Sequence, residues 1–324
     1  MVKILKNTEK YSNIRLVRGK NLQDYLTSHR VRSRSYQTLS GVSTQKYQHV
    51  WFNLEEGRAI FKTFDLIPQS KKNRIVNELV CQELAKQLGI KCAVYKPAYK
   101  SKDVGLVSYD VAGEQMDLYT GKELCTRAAI NTCSNTISQY VKAIKFLSIF
   151  GMKTNDKQIL LDLYKICVFD YLTMQSDRHR SNVFFIKDKK TDTLKVAPLI
   201  DNELAFCGNC LEQFKQLSEI TNEHIIYLYE RNSSYLSIYK DKPSDFEARA
   251  TEIVSFAKRN KITLNILEQY LSKINITKAI ESVEKMGFKI NDGYKEYLKN
   301  IISLTKRTLK KELKRQSSIE DVKE

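Results

Sequence analysis

The sequence predicts an α+β fold of two unequal lobes. A small β-rich lobe with one helix covers residues 1–111, a large, mostly helical lobe covers 112–316, and 317–324 form a frayed tail. Three observations carry this. Between residues 48 and 111, strand-like alternation flanks a single long helical pattern. Beyond residue 112, apolar residues recur mostly at helical spacing. Between the two regimes of the large lobe, residues 169–206 read as a buried helix end, a polar loop, and two short apolar runs around a turn.

Composition narrows the class. The chain has 324 residues, 42% of them hydrophobic and only 4 of them proline, so it can bury a substantial ordered core. No apolar run approaches the roughly 18–20 residues that a membrane-spanning helix needs. The N-terminal stretch scatters its apolar residues among charges, unlike a secretory signal. Seven cysteines in a chain this long do not form a disulfide framework, and Cys81 and Cys167 sit within apolar helical patterns, as reduced thiols do. The formal net charge of +17 permits an anionic partner without choosing among nucleic acid, lipid, acidic protein and nucleotide.

In chain order, residues 20–29 fit a short helix. From Tyr25 to Leu54 there is no acidic residue, and this window holds Thr38-Leu39-Ser40-Gly41-Val42-Ser43-Thr44-Gln45-Lys46. Such a small, hydroxyl-rich loop, with Arg30, Arg32, Arg34 and Lys46 nearby, can offer backbone N–H groups to phosphate. It also fits an ordinary polar surface loop. Residues 48–64 read as a hairpin turning at Glu55-Glu56-Gly57, with Lys62 between Ile60 and Phe64 on one strand face. If that face points inward, the amine needs a buried partner. Residues 70–89 form a helix whose apolar stripe is Ile75, Val76, Leu79, Val80, Leu84 and Leu88, with Gly89 at its C-terminal end and Glu78 beside the stripe. Strands follow at Lys91–Tyr99 and Gly105–Val111. In the large lobe, Ile137, Tyr140, Val141, Ile144 and Leu147 define one helix, and 156–174 is apolar nearly all round, so Phe169 and Tyr171 are core residues. Val183–Ile186 and Leu194–Ile200 pair across the Lys187–Thr193 turn. Residues 211–316 are helical again, with breaks near 240–244 and 287–293. The last helix carries a basic face of Lys306, Arg307, Lys310, Lys311, Lys314 and Arg315, which suits solvent or an acidic partner.

The chemistry concentrates at Asp177-Arg178-His179-Arg180-Ser181-Asn182 and Asp201. The hairpin brings Asp177, Asn182 and Asp201 to one end. A carboxylate, a carboxamide five residues on and a second carboxylate suit Mg²⁺-assisted phosphoryl transfer: one acid orients a hydroxyl, and the other two groups hold metal. His179 either supports this loop or faces phosphates. Cys207-Gly208-Asn209-Cys210 lacks the two further ligands that a zinc site needs, His224 being the only downstream histidine.

Together these residues resemble the HipA-type serine/threonine protein kinases over roughly residues 36–310. The likeness rests on Thr38-Leu39-Ser40-Gly41, Phe61-Lys62, Asn77-Glu78 with Glu83-Leu84-Ala85-Lys86-Gln87-Leu88-Gly89-Ile90, the Asp177–Asn182 loop, and Ala197-Pro198-Leu199-Ile200-Asp201. The resemblance implies a protein-kinase-like fold with ATP between the lobes and Mg²⁺ as cofactor. It implies that Lys62, held by Glu78, contacts the α/β-phosphates, that Asp177 is the catalytic acid/base, and that Asn182 and Asp201 bind metal. It places Ser40, Gly41, Lys46 and His179 around the phosphates and the adenine hinge near Ser108-Tyr109. Thr38 and Ser40 match positions of inhibitory autophosphorylation. The resemblance further implies a cytoplasmic bacterial protein or one delivered into a host cell. Its protein substrate would be of the aminoacyl-tRNA synthetase or host-protein kind, and its partner an antitoxin or a separately encoded subdomain. The sequence departs from the pattern in three places. The loop begins as early as Thr38, as in a short or split form; it carries one extra residue between Gly41 and Lys46; and Ile200 replaces an aromatic before Asp201. Asp-Arg-His-x-x-Asn followed by Ile-Asp also resembles phosphatidylinositol-type lipid kinases. A catalytically silent pseudokinase or basic binding scaffold is the non-enzymatic alternative.

Overall fold

The computed structural model describes residues 14–16, 49–54, 57–63, 69–100, 103–112, 115–130, 134–208, 220–239 and 245–321. The loop at Thr38–Lys46, the expected helix at 20–29, Cys210 and the 240–244 break lie outside these residues.

Five strands make the first sheet: β1 (Ile14–Leu16), β2 (His49–Leu54), β3 (Gly57–Thr63), β4 (Tyr95–Lys100) and β5 (Asp103–Tyr109), in the order β1-β4-β5-β3-β2, antiparallel throughout. The register sets Lys62 of β3 opposite Leu106 of β5, and Ser108 between Ile60 and Tyr95. The expected hairpin over 48–64 is thus present. The two following strands are displaced by a few residues, and ahead of them Cys92 bridges to Leu199 in the other lobe.

Helix α1 (Gln69–Leu88) lies between β3 and β4 in sequence. It buries the predicted stripe of Ile75, Val76, Leu79, Val80, Leu84 and Leu88. It ends in a Schellman turn: Gly89, with φ +66°, donates to the Lys86 carbonyl and Ile90 to that of Ala85. An L side chain is strained at that φ, so glycine stops the helix there.

The larger lobe contains α2 (Gly121–Arg127), α3 (Ile137–Ile149), α4 (Asp156–Leu172), α5 (Asn222–Asn232), α6 (Phe246–Lys258), α7 (Lys261–Lys273), α8 (Ile276–Lys285) and α9 (Asp292–Asp321). A second sheet, in the order β6-β8-β9-β7, joins β6 (Met116–Thr120), β7 (Lys153–Thr154), β8 (Phe184–Asp188) and β9 (Thr193–Val196). The hairpin β8–β9 is present but shorter than expected on its second strand. Strand β6 falls where helix was expected. It pairs antiparallel with β8 and ends at Thr120, which caps α2 in a reciprocal box with Glu123. Helix α4 is buried from Ile166 through Leu172, so Phe169 and Tyr171 are core residues, as expected.

The expected frayed tail at 317–324 is described only as far as residue 321. Helix α9 runs to Asp321, so residues 317–321 are helical. Gln316 donates to Ser255 Oγ on α6 and to Glu312, Arg315 pairs with Glu312, and Ser317 and Ser318 bond carbonyls one turn back. One continuous apolar cluster joins α1 to the larger lobe, through residues such as Leu79, Tyr95, Phe169 and Leu298.

Candidate active site

Helix α4 positions the site. Its last turn is apolar except for Asp170, which is fully buried. A buried carboxylate needs a cation, and Arg178, eight residues on, supplies one: Nε donates to Asp170 Oδ2 at 3.0 Å and Nη2 to Oδ1 at 3.2 Å. The same guanidinium donates to the carbonyls of Asn182 (3.1 Å) and Ile200 (2.9 Å) and to Asn202 Oδ1 (2.7 Å). One side chain therefore ties the end of α4 to both loops that carry the candidate site. Burial opposes the Arg178 charge, but Asp170 and its hydrogen bonds outweigh that and hold the guanidinium above its ordinary range. Burial pushes the Asp170 carboxyl up, and Arg178 counters that push.

The loop is pinned from the other side as well. Arg178 N–H donates to the Ser234 carbonyl at 2.7 Å, and Ser234 N–H to that of Ser176 at 2.9 Å. Asn135 Nδ2 donates to the Arg178 carbonyl, and Asn135 Oδ1 accepts from the Tyr140 hydroxyl. The Asp177 side chain is left about one-third exposed, at 35%. Its Oδ2 accepts from Asn182 Nδ2 at 3.2 Å, and its own carbonyl from the same amide at 2.9 Å. Burial raises the Asp177 pKa; the neighbouring His179 pulls it back, and Asp201 pushes it up again. His179 caps the short 3-10 turn at Arg180–Asn182, its Nδ1 accepting from Ser181 N–H at 3.1 Å, while Nε2 sits 3.6 Å from Asp177 Oδ1. Nδ1 thereby braces the loop, while Nε2 stays on the Asp177 side, 44% of the side chain being exposed.

Asp201 adopts a left-handed φ of +61° and its N–H donates to the Tyr95 hydroxyl at 3.1 Å. Gln175 links it to the Asp177 loop: Nε2 approaches the Asp201 carbonyl at 3.4 Å, while Oε1 accepts from Asp177 N–H at 3.0 Å. Glu78, fully buried on α1, accepts the N–H of Asn202 at 2.8 Å. Asn77 beside it donates to the carbonyls of Glu203 (3.0 Å) and Ala205 (2.9 Å).

The structure thus gathers Asp177, His179, Asn182 and Asp201, and brings Glu78 onto the segment that follows Asp201. Lys62 sits on β3, but its expected ion pair with Glu78 lies outside the described contacts. Ser108 and Tyr109 end β5 just before the chain leaves the sheet, where Asp110 Oδ1 accepts from Ala112 N–H at 3.0 Å. Thr38, Ser40, Gly41 and Lys46 lie outside the described residues. Sequence reasoning quoted Arg178 within the motif without giving it a role, and missed Asp170, Gln175, Asn135 and Asn202. One signal was available: Asp170 is a lone acid in the run Cys167-Val168-Phe169-Asp170-Tyr171-Leu172.

Among the described residues, no three His, Cys, Asp or Glu side chains cluster as a metal centre. The donor set that is present suits a hard cation shared with phosphates. Both Asn182 donor contacts use Nδ2, which leaves its Oδ1 as an acceptor, and Asp201 adds a carboxylate. Mg²⁺ commonly takes one or two protein oxygens and fills the rest with phosphate and water.

These lobes and loops define a two-lobed, kinase-like fold of HipA type. Two solved structures resemble it. One is the Helicobacter pylori proinflammatory kinase CtkA, with a TM-score of 0.65 and 16% identity over 84% of this chain and 95% of that one. The other comes from the HipA–HipB toxin–antitoxin system of Shewanella oneidensis in complex with its operator DNA, with a TM-score of 0.50 and 12% identity over 94% of this chain and 72% of that one. At these identities the likeness is one of fold. No protein-family model matches the sequence, and no curated protein matches it either.

Proposed function

We propose that the chain is an ATP-dependent serine/threonine protein kinase of HipA type, with its small lobe ending near residue 111. The observation that carries this reading is the Arg178 hub, which sets Asp177, Asn182 and the segment around Asp201 beside one another on a buried ion pair with Asp170. Phosphoryl transfer asks little covalent chemistry of a protein; it asks for positioning and charge neutralisation.

The roles follow from the atoms. Asp177 is partly exposed and more basic than an ordinary aspartate, so it accepts a hydrogen bond from the incoming hydroxyl and takes its proton as the phosphoryl group moves. Asn182 steadies Asp177 through Nδ2 and offers Oδ1 to metal. Asp201 is the second metal-holding group. Bound Mg²⁺ would neutralise charge on the nucleotide phosphates. Lys62 contacts those phosphates, with Glu78 as its partner, and the loop at Ser40, Gly41 and Lys46 covers them. The chain at Ser108-Tyr109 forms the adenine hinge. Phosphate placed on Thr38 or Ser40 would repel the nucleotide phosphates, which makes autophosphorylation a switch. The toxin–antitoxin setting of the Shewanella neighbour supports an antitoxin-like partner and a cytoplasmic site of action, and no described helix is long and apolar enough to cross a membrane.

The test offers radiolabelled Mg-ATP to the full chain and to Asp177→Ala, with protein mixtures and phosphoinositide vesicles side by side. Label on protein serines and threonines is expected with the wild type, including Thr38 or Ser40, and about 10²–10⁴-fold less with the variant. Failure of the wild type to bind Mg-ATP refutes the kinase reading, and label confined to lipid reassigns the substrate.

A further inference from the structure

The basic face of the last helix is not used by the site. Along α9 the cations fall into two groups. Near its ends they are paired: Lys295 with Glu284 and Asp292, Lys299 with Glu296, Arg315 with Glu312. In the middle, Arg307, Lys310 and Lys314 are exposed and have no counter-ion among the described residues, and Lys311 only approaches Glu247 at 3.9 Å. Lys306–Lys310, Lys310–Lys314 and Arg307–Lys311 repeat like charges at a spacing of four, which costs a helix about 0.2–0.5 kcal/mol per pair. Helix stability does not account for this stripe.

The stripe forms one wall of a groove of about 730 Å³ against the junction between α7 and α8. That volume falls within the roughly 300–1,000 Å³ of ordinary ligand sites. Much of its surface is carbon, chiefly from lysine and arginine stems, since Ile274, Ile276 and Ile302 are buried and show only their edges. Lys306 lies half-buried in it, with Nζ 3.4 Å from the Ile274 carbonyl. Burial, and then Lys310, lower its pKa, so the groove holds crowded positive charge that an anion would relieve.

We infer that this groove docks an extended acidic peptide segment of a protein partner, its carboxylates on the Lys306–Lys314 ammonium groups and its apolar side chains on the lysine stems and the isoleucine edges between them. Two features favour peptide over nucleic acid. Among the described residues no aromatic ring lines the groove, so they offer no platform for base stacking. The carbon floor has no use for a phosphate backbone but suits side chains that alternate between two faces. From Lys299 to Lys314 the wall spans about 22 Å at 1.5 Å per residue, enough for roughly seven extended residues. The groove shares no lining residue with the candidate active site, so the inference stands apart from the kinase reading.

The test uses the full-length chain and fluorescence anisotropy with three labelled probes: a peptide of about seven residues alternating Glu and Leu, the same peptide with Ser for Leu, and an oligothymidylate of matched charge. The Glu-Leu peptide is expected to bind tightest. The double variant Lys310→Glu/Lys314→Glu should weaken it about tenfold or more, equivalent to about 1.4 kcal/mol. Lys142→Glu/Lys145→Glu on exposed α3 positions, with the same change in net charge, should leave it within about twofold. Equal binding of the Glu-Ser peptide, tighter binding of oligothymidylate, equal loss in the α3 variant, or no peptide binding at all each overturns the proposal. So does concentration-dependent self-association that Lys310→Glu/Lys314→Glu abolishes, since the groove would then hold a second copy. Unchanged thermal melting of the variants keeps a loss of binding separate from a loss of fold.

Discussion

Arg178 has almost no exposed surface, yet five hydrogen bonds converge on it from Asp170 and from two loops. Such a residue costs much to desolvate and is retained where its donors all have acceptors. Removing its partner should expose that cost. Asp170→Ala leaves a buried guanidinium without its carboxylate and should destabilise the fold by about 3–5 kcal/mol. Urea melts would show it, and Arg178→Met added to the same chain should restore part of the loss. A loss below about 1 kcal/mol would mean that the hub is not what holds the loops. The motif Asp177–Asn182 was legible because its residue types announce their chemistry. Asp170 was not, because its meaning depends on a partner that only the turn after α4 brings back. The bond from Ser181 N–H to His179 was hidden in the same way, because it depends on the turn that follows the histidine.

At the scale of elements, the long helices were readable and the short strands were not. Helices α1, α3 and α4 each repeat apolar residues over three or more turns, and their burial matches that spacing. Strand β6 has five residues, Met116–Thr120, too few for alternation to stand out from a helix start, and its pairing with β8 lies some seventy residues downstream. Yet β6 aims the chain into Gly121, where a glycine is required by its neighbour. A methyl group there would lie 2.7 Å from the Tyr140 ring. Gly121→Ala should therefore cost about 1–3 kcal/mol as the ring is displaced. Because Tyr140 holds Asn135, and Asn135 holds the Arg178 carbonyl, the proposed phosphoryl-transfer activity should fall as well. Thermal melting and a kinase assay on the same preparation check both effects. An unchanged melt would show that the ring moves without resistance.

At the scale of the molecule, α1 belongs to both lobes. Its sequence neighbours are strands of the small sheet, but its polar contacts reach across: Asn77 to Glu203, Ala205 and the Tyr294 hydroxyl, Glu78 to Asn202, and Gln87 to Asn275 in both directions. The sequence showed the two lobes but not this attachment, because its contacts join residues more than a hundred positions apart. Asn77→Ala should leave buried partners unsatisfied at roughly 1–3 kcal/mol for each group. Hydrogen exchange should then show α1 and residues 202–208 losing protection together; loss confined to α1 would mean that the two are not one cooperative unit. The same attachment bears on how the chain comes into being. Asn77 leaves the ribosome 217 residues before Tyr294 does, which at about 5–20 residues per second is a wait of roughly 10–40 s. For that time the apolar stripe of α1 has no finished surface to rest on. Helix α1 is thus made well before its last partner, and its attachment to the larger lobe is completed only when α9 has emerged.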